Sequence, residues 1–284
     1  MNFFIGCAIW AYKGWVGEFY PPKARATDFL HLYSRRLTTV EGNTTFYATP
    51  NPETVTRWSN QTPPEFEFCL KLPREITHNG LLQPHITHAL NFLENMLPLG
   101  KNLGPMFAQL PPSYSPQSLD DLTNFLQSWP KNTAPLALEV RHPDWFREPH
   151  AHNLTALLET LNIARVLLDT RPIYSGKEDP QLHSARRKPQ LPLQFQTTAP
   201  FTLIRFISHP TLSVNQPFMA EWINYIQQCL QQGKRIYFFV HCPIEERSPH
   251  TARHFYNLLH QAGIDIPPLP WDLIEQEPHQ LSLW

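Results

Sequence analysis

Four cysteines occur in 284 residues (Cys7, Cys69, Cys229 and Cys242), and no two of them stand in a CxxC spacing. This excludes a close-paired redox motif or a zinc knuckle, and reduced thiols are predicted. Neither sign of charge dominates: 23 Lys and Arg stand against 24 Asp and Glu, a formal net charge of -1. Such a balance gives no global attraction to nucleic acid or to an anionic membrane surface. No apolar run approaches the length needed to cross a bilayer. The apolar start Asn2-Phe3-Phe4-Ile5 follows no basic segment and is broken by Trp10, Tyr12, Lys13 and Trp15. No cleaved signal peptide is therefore predicted, and the expected location is the cytoplasm. Phosphate loops of the GxGxxG or GxxxxGK(S/T) form are missing, as are HxH and HExxH patterns. No metal site is predicted on that basis, and cofactor use is left open.

What the chain does have is proline. There are 30, roughly twice the usual share, with pairs at Pro21-Pro22, Pro63-Pro64, Pro111-Pro112 and Pro267-Pro268. They punctuate the chain as rigid loops between elements. Between the breaks lie short apolar runs near Phe3–Cys7, Thr39–Asn43, Phe66–Lys71, Pro105–Gln109, Leu136–Arg141, Ala164–Asp169, Phe201–Phe206 and Ile236–His241. Most are rich in β-branched or aromatic residues and lack clean alternation, as expected for strands covered on both faces. Segments with helical stripes separate them: Ala26–Arg36, Ser118–Trp129, Asn153–Leu161, Met219–Leu230 and His250–Leu259. Alternating strands and helices call for parallel strands with right-handed crossovers. The predicted fold is α/β, a (β/α)8 TIM barrel with an irregular sixth β-α connection over Arg171–Pro200; a doubly wound open sheet is the rival. One domain is expected over residues 1–284, with 267–284 a tail packed on it through Trp271 and Trp284.

The strand reading gathers chemistry at one end. Side chains alternate along a strand, so Glu41 and Asn43 share one face and Glu139 and Arg141 another. Lys71, Gln109, Asp169, Arg205 and His241 end their own strands, and active sites of such barrels lie at the carboxyl ends of the strands. A self-neutralising ion network is the plain alternative. Tyr12, Tyr47, His78 and Trp145 fall in or near the loops that follow strands and are candidates to line a pocket.

Several motifs together carry a family resemblance. They are Gly6-Cys7-Ala8-Ile9-Trp10-Ala11-Tyr12-Lys13-Gly14-Trp15, Thr39-Val40-Glu41-Gly42-Asn43-Thr44-Thr45-Phe46-Tyr47, Gln109-Leu110-Pro111-Pro112, Glu139-Val140-Arg141-His142 with Trp145, and Leu203-Ile204-Arg205-Phe206. With them the chain resembles the YecE-like family, a domain of unknown function with a TIM-barrel fold. The resemblance implies that fold across nearly the whole chain, and it implies no reaction. It departs from the family pattern at the eighth strand, where Phe239-Val240-His241-Cys242 replaces an ending in asparagines.

The residues themselves suggest a chemistry. Three cations among the strand-end groups favour an anionic ligand, because arginine grips phosphate or carboxylate through two hydrogen bonds. The expected function is acid–base catalysis on a small phosphorylated or carboxylated metabolite. Glu139, Glu41, Lys71 and Asp169 are the candidate catalytic groups. Arg141, Arg205, Asn43, Gln109, Tyr12, Tyr47, His78, Trp145 and His241 are the candidate binding groups. A metal-dependent phosphoesterase would draw on His78, Glu139, Asp169 and His241. A nucleic-acid-processing enzyme would draw on Arg35-Arg36 and Arg186-Arg187-Lys188. A non-catalytic binding barrel is the third alternative.

Overall fold

The computed structural model describes residues 1–182 and 187–275, so Trp284 and Arg186 lie outside the described residues. Each predicted strand is present, with ends moved by a few residues at most: β1 Phe3–Cys7, β2 Thr39–Gly42, β3 Glu67–Leu70, β4 Met106–Gln109, β5 Leu136–Glu139, β6 Ala164–Asp169, β7 Phe201–Ile207 and β8 Arg235–His241. All observed pairings are parallel.

The connectivity of the ladder corrects the expected closed barrel. Continuous pairing runs through six strands in the order β1-β8-β7-β6-β5-β4, a curled but open sheet, while β2 and β3 form a separate two-stranded ribbon. Two seams interrupt the ladder, and both have local causes. Between β1 and β2 the Tyr33 hydroxyl inserts itself: it accepts from Cys7 N at 2.6 Å and donates to Thr39 O at 3.0 Å. The Thr38 hydroxyl likewise accepts from Ile5 N at 2.9 Å. The backbones come so close here that a Cβ on Gly6 would stand 1.9 Å from Thr39 O, so only glycine fits. Between β3 and β4 only isolated bridges form, Phe68 with Leu103 and Lys71 with Phe107. Pro105, just before β4, has no N–H to extend them.

Helices cover the outer face: α1 Phe29–Ser34, α2 Pro52–Gln61, α3 Arg74–Thr77, α4 Ile86–Met96, α5 Leu119–Ser128, α6 His150–Leu161, α7 Arg171–Ser175, α8 Leu212–Gln231, α9 Ser248–Gln261 and α10 Pro270–Glu275. The main apolar core lies between them and the strands, with Val40, Leu138, Ile204, Phe238, Trp222 and Phe255 among its members. The inner faces of the strands carry a second core of Phe4, Cys69, Phe107, Ala137, Val166, Leu203, Tyr237 and Phe239. After β6 the chain forms only α7, and the described part of 176–200 contains no helix. Trp271 of α10 packs edge-on against Phe19 at 4.9 Å and beneath Arg253 at 4.6 Å. All four cysteines are free and buried, and no helix among the described residues is long and apolar enough to cross a membrane.

The β1–β2 seam makes a testable point. Replacing Tyr33→Phe keeps the ring and strands two buried backbone groups, Cys7 N–H and Thr39 C=O. A loss of about 1–3 kcal/mol in chemical denaturation is expected; a variant as stable as the parent would show that the hydroxyl does not hold the seam.

Candidate functional site

The inner-facing positions above the second core are charged. β7 presents Leu203, Arg205 and Ile207 inward, in register with Val166 and Leu168 of β6 and with Tyr237, Phe239 and His241 of β8. Arg205 is therefore thrown into the interior one layer above the aromatic core, with its guanidinium 5.7 Å from the centre of the Phe107 ring. It reaches two carboxylates from different strands. Its Nε and Nη2 each donate to Glu41 at 2.8 Å, and its Nη1 donates to Glu139 Oε2 at 2.5 Å. The side chains of Arg205, Glu41 and Glu139 are 2%, 0% and 1% exposed, so water screens none of these contacts.

Both carboxylates find further donors. Glu41 accepts from Asn43 Nδ2 at 2.7 Å and from His241 Nε2 at 2.8 Å. Asn43 also donates to Ala8 O, so its amide closes the mouth near β1. Glu139 accepts from Arg141 Nε at 2.6 Å. Gln109 Oε1 then accepts from both Arg141 Nη2 at 2.8 Å and Lys71 Nζ at 2.9 Å. Lys71 lies 3.8 Å from the centre of the Phe46 ring. Phe46 is placed there by Thr45, whose hydroxyl is shared between Gly42 O and Lys71 O.

Electrostatics sort the titratable groups. Burial alone would push the Glu139 carboxyl up, but Arg205, Arg141 and Lys71 outweigh it and hold it at about 2. Glu41 is likewise held well below the usual carboxylate range: Arg205 and His241 outweigh its burial. Burial lowers His241 to about 4 despite Glu41, so at neutral pH the ring is neutral and Nε2–H donates to the carboxylate. Lys71 is lowered to about 7, first by burial and then by Arg205, with Glu139 and Glu41 opposing. It is thus the strand-end group that titrates near neutrality. Both glutamates are fixed as carboxylates and are unsuited to donate a proton there.

Three predicted site residues are placed elsewhere. Asp169 is not in the mouth: Ala164, Val166 and Leu168 of β6 follow the inward register, so Asp169 faces outward. There it is held by Trp222 Nε1 and Arg171, all at 2.9 Å. A polar residue at a strand end is expected in the mouth, but the register puts Asp169 on the outer face of β6 together with Arg165. Trp145 is fully buried, and its Nε1 donates to Tyr114 O at 2.8 Å, a packing role. Tyr12 donates to Glu246 Oε1 at 2.6 Å, away from the carboxylate cluster. Tyr47 and His78 do come together, in an open pocket of about 460 Å³ that Phe46, Arg74 and Asn79 also line. Phe46 meets His78 edge-on at 5.0 Å, so one face of this pocket is the ring that carries Lys71.

Two residues escaped the sequence reading as site residues. Lys188 belongs to a basic run, yet Arg205, Glu41, Arg141, Glu139 and His241 all act electrostatically on it or feel it, which places its ammonium over the mouth. Glu245, in the turn after β8, carries a buried oxygen, Oε1, with no hydrogen-bond partner among the described residues. The other basic residues are tied down: Arg187 pairs with Asp179, Arg35 caps His31 O and Gln61 O, and Arg36 caps Leu32 O. Among the described residues no three His, Cys, Asp or Glu side chains gather as a metal cluster, and the set His78, Glu139, Asp169 and His241 does not converge.

With this geometry in hand, comparison with known proteins is informative. Residues 4–273 match the model of a family described as "Protein of unknown function DUF72". The chain belongs to the DUF72 family. It is 32% identical over 270 residues to the UPF0759 protein YecE of Escherichia coli K12, covering 94% of this chain and 96% of that protein. The YecE protein of Escherichia coli O157:H7 is 31% identical over the same coverage. Among solved structures, a DUF72 family protein from Thermotoga maritima MSB8 superposes with a TM-score of 0.70 at 19% identity, covering 92% of this chain and all of that one. One from Enterococcus faecalis V583 gives 0.69 at 17%, covering 94% and 96%. At such identities these two structures speak to the fold of the DUF72 chain alone.

The network predicts a stability order for this DUF72 protein. Arg205→Met leaves two buried glutamates without their shared cation and is expected to cost about 3–5 kcal/mol. Arg141→Met, with Arg205 still holding Glu139, is expected to cost about 1–2 kcal/mol. The carboxylate Glu139 is favoured in the folded state, so its stabilisation is complete above 4.5 and is lost as pH falls toward about 2. Urea titrations of the parent and both variants between those pH values measure the order and the slope; equal costs for the two arginines would refute this account.

Proposed function

We propose that the protein is an enzyme that binds a small phosphorylated or carboxylated metabolite and moves a proton on it, with Lys71 as the proton-transferring group. The observation that carries this reading is the mismatch of charge at the mouth. Glu41 and Glu139 are matched by Arg205 and by one edge of Arg141. Among the described residues, the Lys71 ammonium has the neutral Gln109 amide and the face of Phe46 as its contacts, and no carboxylate within ion-pair distance. Arg141 Nη1 has no hydrogen-bond partner among the described residues, and its side chain is 16% exposed. Positive charge therefore remains at the mouth after the internal pairs are made, and an anion neutralises it.

Each group then has a part. Arg141 Nη1 holds the anion throughout, Lys71 adds to that hold only in the fraction where it is protonated, and Arg205 is committed to the two glutamates. The neutral amine of Lys71 accepts a proton from the substrate. The electron pair left behind is stabilised as an enolate or oxyanion by the ammonium so formed and by Arg141. The pocket of Phe46, Tyr47 and His78 takes the remainder of the molecule. The near-neutral value of Lys71 suits it to both halves of this cycle.

The test is a thermal-shift titration with inorganic phosphate and small carboxylates, since a ligand of the folded state raises the midpoint. Protection by these anions is expected to weaken as pH rises through about 7, where Lys71 loses its charge. Lys71→Met and Arg141→Met are each expected to reduce anion affinity at least about ten-fold, the loss of one charge-assisted contact. Variants protected as well as the parent would overturn the proposal.

A further inference from the structure

The β6–β7 connection places a lysine over the mouth in a constrained way. Lys188 N donates to Gln181 Oε1 at 2.7 Å, and Lys188 O accepts from the Tyr174 hydroxyl at 2.5 Å. Thr170 at the end of β6 donates to the next carbonyl, Pro189 O, at 2.9 Å. The backbone is thus pinned on both sides of the residue. The ammonium itself has no hydrogen-bond or ion-pair partner among the described residues, although it stands among Glu41, Glu139, Arg141 and Arg205. A half-buried cation, fixed at its root and free at its tip, is a poor structural tie.

Facing it is Glu245, whose buried carboxyl feels the Ser248 hydroxyl first and then Lys188, Glu246 and Glu41. Its backbone is anchored, with Glu245 O accepting from Trp15 Nε1 at 2.9 Å, and the neighbouring Glu246 is occupied by Tyr12. Its Oε1 is buried and without a hydrogen-bond partner among the described residues, although the Ser248 hydroxyl, itself unpartnered, lies close enough to act on the carboxyl. A buried carboxyl oxygen without a donor costs free energy that a ligand hydroxyl would recover.

We propose that Lys188 and Glu245 form a second subsite at the mouth, Lys188 gripping the anionic group of the substrate and Glu245 Oε1 accepting from a hydroxyl on the same molecule, so that the ligand is a hydroxylated anion. This rests on the small-anion reading above and narrows its substrate class. It adds two residues on loops that meet only in the folded chain. The preference has a physical basis: a site that leaves a buried polar atom unpaired discriminates strongly against an analogue lacking the matching group. Burial raises Glu245 to about 8, so near neutrality its carboxyl is largely neutral and does not repel an anion beside it.

The test uses two probes of nearly equal size, glycerol phosphate and propyl phosphate, with inorganic phosphate as reference. Affinities are read from midpoint shifts and calorimetry on the full chain. In the parent, glycerol phosphate is expected to bind about ten-fold more tightly than propyl phosphate, the effect of one buried hydrogen bond. Glu245→Leu is expected to bring that ratio to near one while leaving propyl phosphate unchanged. Glu245→Gln retains an accepting oxygen and should keep most of the ratio, which guards against a variant that merely misfolds. Lys188→Met is expected to weaken all three probes. Inorganic phosphate binding that depends on Lys71 and Arg141, with no preference for glycerol phosphate and no effect of Lys188→Met, would overturn this inference and leave the small-anion reading standing. No binding of any probe would overturn both.

Discussion

Arg205 joins what the backbone leaves apart. The hydrogen-bond ladder is broken on either side of the β2–β3 ribbon, so main-chain pairing alone does not hold the ribbon to the six-stranded sheet. Arg205 rises from β7 and clamps Glu41 on β2 with two donors while a third holds Glu139 on β5. His241 on β8 adds a second tie to Glu41, and Lys71 on the end of β3 reaches Gln109 on β4. Each seam is thereby spanned by side chains where the backbone ladder stops. A buried ion network is a costly fastener, because each charge has lost its water. It tolerates that cost only with nearly every lone pair and N–H engaged, which is the arrangement seen around Glu41.

That structural duty shapes the chemistry. The residue types that look most catalytic, two glutamates on different strands, are made unreactive as acids by the arginine between them. In the proposed reaction the proton is carried by the group left over. Lys71 is buried among cations and therefore holds its proton weakly, whereas a solvated lysine would stay charged. The same logic separates the two arginines. Arg205 has its donors turned inward onto carboxylates, while Arg141 sits at the rim with part of its fork toward the mouth. The curled open sheet has an ionic floor that is neutralised internally and a cationic rim, so on the proposed reading the floor keeps its shape whether or not an anion is bound.

The loops complete the rim. The turn after β2 brings Phe46 and Tyr47, the β6–β7 connection brings Lys188, and the turn after β8 brings Glu245. None of these is part of a strand, and their placement depends on local hydroxyl and amide anchors at Thr45, Thr170, Tyr174 and Gln181. Helix α7 is short and the described part of 176–200 contains no helix, so Lys188 leans inward where a regular helix would have lain on the outer face.

Much of this was legible in the sequence. All eight strands were readable from apolar runs bounded by prolines, and the alternation of side chains was enough to bring Glu41, Lys71, Gln109, Glu139, Arg141, Arg205 and His241 to one end. The family motifs pointed the same way. Other features depended on the third dimension. Asp169 turns outward onto Trp222, because its position at a strand end does not say which face it shares, and on β6 it shares the outer face with Arg165. The ladder was not continuous, because that depends on where a Tyr33 hydroxyl wedges and where Pro105 withholds a donor, contacts made between segments far apart in the chain. Lys188 and Glu245 lie 57 positions apart, so no local sequence pattern joins them. Periodicity encodes which residues share a face of one element. Which charges meet across the interior, and so which proton is loosely held, is set by distances and dielectric that exist only once the chain is folded.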